Sequence, residues 1–165
     1  MGNDMYYGTA EGFLAYHTTR GTDVTEWEDT QITPKLLVAS EWLDGAFRSQ
    51  FQGWKAGLSA QMREWPRTGA VDYYGYAVSS AAVPFQIEYA TYEIALRVLK
   101  QPDILNKDAA PSKYKRVEIE GAISVEYGDQ SAAALQAQFP IIGQVLSSLL
   151  TGGDTSPLSS RVVRV

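Results

Sequence analysis

At 165 residues, with 45% hydrophobic and 20% charged side chains, the chain is long enough to bury one core and too apolar for wholesale disorder. It contains no cysteine, which excludes a disulfide framework, a thiol nucleophile and thiolate metal ligation. The net charge of −5 falls within residues 1–50 while the remainder is balanced, so nothing predicts a general attraction for polyanions, which draws on a basic stripe. The first residues lack a basic leader and an apolar stretch, and no run approaches the roughly 20 apolar residues of a membrane span. The expectation is a soluble protein made in the cytoplasm, with no membrane partner.

In chain order, the first predicted helix covers residues 10–20, with Thr9 as N-cap and Gly21 as stop. Ala10, Phe13, Leu14 and His17 share one face, and Gly12 weakens this helix by about 1 kcal/mol relative to alanine. Residues 21–33 read as a polar, acidic loop anchored by Trp27. A second helix starts at Pro34 with Thr33 as cap, carries the stripe Leu36, Ser40, Leu43, Phe47 and Trp54, and ends at Gly53. Ala39, Ala46 and Phe51 thicken that stripe. Residues 55–82 hold no sustained period but are rich in aromatics, which predicts an ordered, packed loop.

The third helix runs from Pro84 to about Lys100, with Ile87, Thr91, Ile94 and Val98 inward and Glu93 and Arg97 paired on the polar side. A linker over 101–112 follows. The period then changes to two: Val117, Ile119, Ile123, Val125 and Tyr127 alternate with Glu118, Glu120, Ser124 and Glu126, the pattern of one long strand or of two bent at Gly121. Such an element leaves edges that another chain can cover. Residues 129–138 are ambiguous. A short apolar helix begins at Pro140 and ends at Gly152 and Gly153, and the last residues read as a tail whose end is both apolar and basic.

Motifs for chemistry are missing. His17 is the sole histidine and sits beside Phe13 and Leu14, where a packed histidine is the commoner occupant. There is no G-x-S-x-G elbow, no H-E-x-x-H and no phosphate-binding loop. Glu26, Glu28 and Asp29 match no calcium loop and read as a solvated acidic turn. No enzyme, cofactor or metal is predicted. One cluster, Arg63, Trp65, Arg67, Tyr73, Tyr74 and Tyr76, mixes cations with stacking faces in the manner of a single-strand platform. Glu64 and Asp72 lie among them, and packing of these aromatics onto the helices is the preferred reading.

A series along the chain carries a family resemblance. It runs from Ala15-Tyr16-His17-Thr18-Thr19-Arg20-Gly21 through Ala39-Ser40-Glu41-Trp42-Leu43-Asp44 to Trp65-Pro66-Arg67-Thr68-Gly69. Val83-Pro84, Ala90-Thr91-Tyr92-Glu93-Ile94-Ala95, Ile123-Ser124-Val125-Glu126-Tyr127 and Phe139-Pro140 continue it. The series resembles the head–tail connectors of tailed bacteriophages, a family often labelled DnaT-like single-stranded-DNA-binding. The connector resemblance implies a homo-oligomeric, typically dodecameric ring beneath the portal, assembled in the host bacterial cytoplasm and retained in the virion neck. Its partners would be the portal protein, the next neck or tail component, and double-stranded DNA passing without specific binding. The label implies instead a replication accessory that holds single strands.

Residues and resemblance together predict a mainly α fold: a small helical bundle with a short β-strand or hairpin element. One domain covers 1–150 and an extended, flexible C-terminal tail covers 151–165. Trp27, Trp42, Phe47, Trp54 and Ile94 are the predicted buried anchors. Predicted protein contacts lie in the loop of Trp65, Pro66, Arg67, Thr68 and Gly69 and in the tail residues Arg161, Val162, Val163, Arg164 and Val165.

Overall fold

The computed structural model describes residues 5–105 and 139–150. These residues form four α-helices and one small sheet: α1 (Ala10–Thr19), α2 (Asp29–Phe47), β1 (Trp54–Lys55), β2 (Arg67–Thr68), α3 (Phe85–Lys100) and α4 (Pro140–Leu146). The strands pair antiparallel, Trp54 opposite Thr68 and Lys55 opposite Arg67. The mainly helical class read from the sequence is the class observed.

Local chemistry sets the helix ends. The Thr9 hydroxyl accepts from the Gly12 N–H at 2.9 Å and caps α1. At the other end Gly21 adopts φ +73°, while Thr22 N–H donates to the His17 carbonyl and Gly21 N–H to that of Thr18, a Schellman ending that favours glycine. Gly12 has a packing role that helix propensity does not register. A methyl group there would run into the Tyr92 hydroxyl, so this glycine is where α1 meets α3.

α2 begins five residues earlier than Pro34. The Gln31 side chain reaches back to accept from Glu28 N–H at 3.0 Å, half of a capping box, and Ile32 in the new first turn is fully buried. Pro34 therefore lies inside the helix, where burial of Ile32 and Leu36 outweighs one missing hydrogen bond. The helix stops at Phe47 and a single 3-10 turn, Arg48–Gln50, follows. Gly53 ends no helix. It has φ +66°, and any side chain on it would strike the Thr68 carbonyl across the sheet.

α3 is the central helix, contacted by α1, α2 and α4. Ile87, Ala90, Thr91, Ile94, Ala95 and Val98 are buried as the spacing predicts, and contact on several sides adds Tyr92 and Leu96. Arg97 and Glu93 pair at 2.7 Å. α4 lays Ile142 and Leu146 into the same core, and Leu149 follows them. Leu150 then makes an antiparallel bridge with Phe51.

The anchors need correction. Phe47 and Ile94 are buried, but Trp27 and Trp42 are only partly so, and Trp54 is 59% exposed with its indole across Gly69. Helical spacing from Phe47 to Trp54 no longer applies once α2 has ended. The large buried aromatics are instead Trp65, Tyr7 and Phe13, with Val24 as the anchor of the acidic loop. The period-two segment 117–127, residues 129–138 and the tail 151–165 lie outside the described residues.

Candidate functional site

The segment between α2 and α3 divides into an inner and an outer part. The inner part surrounds Trp65, whose peptide bond to Pro66 is cis. Trp65 is 2% exposed and meets Phe51 edge to face, ring centres 5.5 Å apart. Its backbone N–H donates to the Tyr7 hydroxyl at 3.1 Å, and that hydroxyl donates to Asp44 Oδ1 at 2.6 Å. Arg63 closes the arrangement, donating to the Met5 carbonyl at 2.7 Å and approaching Asp44 at 3.4 Å and Glu41 at 3.3 Å. Burial pushes the Asp44 carboxyl up, while Tyr7 and Arg63 pull it back. Burial and the Asp44 charge together push the Tyr7 hydroxyl well up.

Arg67 belongs to the same interior. Its guanidinium donates to the carbonyls of Gln52 at 2.7 Å and Gly53 at 2.6 Å, and pairs with Glu64 at 2.8 Å. Lys55 approaches the other Glu64 oxygen at 3.5 Å. A planar fork with several donors suits this clamp across the sheet, which a lysine could not reproduce. Of the contact loop read from sequence, Trp65 and Arg67 are thus buried, Pro66 and Thr68 are half-buried, and Gly69 lies at the surface under Trp54. The tail residues Arg161, Val162, Val163, Arg164 and Val165 lie outside the described residues.

The outer part is a tight hairpin tip. Val71 bridges to Ala77, and Val78 N–H donates to the Ala70 carbonyl at 2.9 Å. One Asp72 oxygen accepts from the N–H groups of Tyr74 and Tyr76, at 2.9 and 2.8 Å. The fixed backbone presents Tyr73, Tyr74 and Tyr76 at 52%, 78% and 72% exposure. The candidate stacking platform is therefore split: Arg63, Trp65 and Arg67 face inward and the three tyrosines face out. Every arginine among the described residues has an acceptor or a ring against it, Arg20 lying 3.6 Å over Tyr16 and Arg48 nearing Glu64 at 3.8 Å.

Sequence reasoning missed Tyr7 and Asp44. A signal for Asp44 was present, since it falls one turn beyond Ser40 on the buried stripe of α2, where an acid calls for partners. His17 is buried, with Nε2 3.1 Å from the Tyr92 carbonyl, and burial lowers its pKa. Among the described residues no three acidic or histidine side chains are placed to hold a metal ion, and no helix is long and apolar enough to cross a membrane.

A cleft of about 710 Å³ opens beside the inner part, between the N-terminal segment, the β1–β2 connection and the entry to α3. Small residues (Gly8, Ala56, Gly57, Ala60 and Ala82) line it together with the larger Tyr6, Tyr7, Gln61 and Trp65 and the charged Arg63 and Glu88.

No curated protein and no solved structure matches the chain. A family model does, over residues 3–165, nearly the whole length. The chain belongs to the family described as "Putative DnaT-like ssDNA binding protein".

Proposed function

We propose that this family member is a non-enzymatic assembly subunit, a head–tail adaptor of a tailed bacteriophage. It forms a homo-oligomeric ring beneath the portal, extends the DNA channel and docks the next neck or tail component. The observation that carries the reading is the division of the 61–78 segment. Its arginines are spent on internal carbonyls and carboxylates, while three tyrosines stand out on a hydrogen-bonded tip. Rigid, amphipathic tyrosines at an exposed tip suit protein contact, because they bury area at low entropic cost. Exposed Trp54, Leu58, Met62 and Phe85 add further apolar surface for neighbours. The acidic balance suits a channel wall along which DNA passes without being held. Immunogold imaging of purified virions tests this: label at the neck is expected, and absence of the protein from virions would refute it.

The family description favours a second reading, a single-stranded-DNA-binding replication accessory. In that reading Tyr73, Tyr74 and Tyr76 stack bases, each worth about 1–3 kcal/mol. Anisotropy of a labelled oligonucleotide across a salt series separates the two. Tight, salt-sensitive binding that Tyr74→Ala abolishes would establish the accessory role and displace the adaptor.

A further inference from the structure

The tyrosine tip and the cleft beside Trp65 are separate features of one chain, and the tip does not fill the cleft. Tyr73, Tyr74 and Tyr76 are 52%, 78% and 72% exposed, and none of them lines it. Asp72 already fixes the backbone N–H groups of Tyr74 and Tyr76, so a partner meets rings that need little further ordering. Val71 and Ala77 close the base of this projection.

The cleft is a receiver of matching kind. Its volume of about 710 Å³ is in the range of small-molecule sites and leaves room for an aromatic side chain. Tyr6, Tyr7 and Trp65 line it beside small residues. The two charges there differ in what they have left to offer. Arg63 is engaged by the Met5 carbonyl, Asp44 and Glu41, whereas no donor or cation among the described residues reaches the half-buried Glu88 carboxylate. With a guanidinium in the same lining, the group that completes the site is an aromatic ring carrying one neutral donor, not a second cation. A phenol is that group.

The areas are also of the right order. At about 150–250 Å² for a tyrosine, the three exposed rings offer roughly 300–500 Å², near half of what each partner buries in a stable contact. Leu58 and Phe85, exposed and next in the chain to lining residues, extend the rim. Because tip and cleft are different patches, the contact is heterologous, and repetition from copy to copy builds a ring when the rotation closes.

We propose that the tyrosine tip of one copy docks in the cleft of the next, with the Tyr74 hydroxyl donating to Glu88. The inference rests on the ring reading and supplies its subunit contact. In the test, a benzophenone amino acid replaces Tyr73 in the full-length chain, and isotopically distinct copies are mixed with purified portal and irradiated. Mass spectrometry should map cross-links to residues 56–61 and 81–88 of a different copy. Tyr74→Phe should weaken association between copies roughly tenfold. Ala82→Trp, at an exposed wall position, should cut the cross-link yield several-fold by filling the cleft. Glu88→Leu should cut it similarly while the melting temperature holds or rises, which a folding defect would not produce. Cross-links confined to one chain, or yields indifferent to both cleft variants, would overturn the contact. A portal-bound ring whose cross-links avoid the cleft would also overturn it, yet leave the adaptor reading standing. Tip-to-cleft links between copies that never bind portal would support the contact and remove the adaptor.

Discussion

Asp44 is the residue on which the inner network converges, since it accepts from Tyr7 and faces Arg63 within a buried space. Asp44→Ala strands a buried guanidinium and a buried hydroxyl together. A loss of about 3–5 kcal/mol is expected in chemical denaturation, against about 1–2 kcal/mol for Tyr7→Phe. Gly12 makes the opposite point about propensity. Gly12→Ala should improve an isolated helix by about 1 kcal/mol, yet here it should destabilise by about 1–3 kcal/mol, because the methyl meets the Tyr92 hydroxyl. Combining it with Tyr92→Phe should cost less than the two single losses summed, a non-additivity visible in thermal melts. His17 gives a pH dependence of definite sign. Burial holds its folded pKa below the free value of about 6.5, so its contribution is complete above that pH and is lost as pH falls through the lowered value. The melting temperature should therefore fall between pH 7.5 and 5 more steeply for the native chain than for His17→Gln.

At the scale of elements, the long periodic helices were legible and the short connected pieces were not. α3 follows from its apolar spacing and from the Glu93–Arg97 pair because its face is decided by many residues at once. α2 was legible in its middle but not at its start. Pro34 after Thr33 imitates a helix entry, while the true entry depends on the Gln31 side chain and on burial of Ile32. The β1–β2 sheet left no trace in the pattern, since two-residue strands cannot display alternation. Arg67 braces it from the side, joining the carbonyls of Gln52 and Gly53 to Glu64. Arg67→Lys should accordingly loosen this hairpin, with faster amide hydrogen exchange at Ala56, whose N–H donates to the Pro66 carbonyl, while α3 stays protected. The candidate site was half legible: the aromatic and basic cluster shows in the sequence, but its division into buried clamp and exposed tip depends on partners far along the chain, Met5 and Tyr7 among them.

For the molecule as a whole, surface chemistry and family membership pull on the same feature from different sides. The family description directs attention to single-stranded DNA, whereas the proposed adaptor reading starts from arginines engaged within the fold and a net charge of −5. A ring subunit needs surfaces that meet head to tail and close on themselves, and a rigid aromatic tip can supply one half of such a contact. The most direct test is mass photometry of the full-length protein mixed with purified portal. The adaptor reading predicts a closed complex of fixed stoichiometry, one adaptor ring on each portal, that Tyr74→Ala weakens without lowering the melting temperature. An unaltered portal mass, with the protein remaining unbound at every concentration tried, would contradict it.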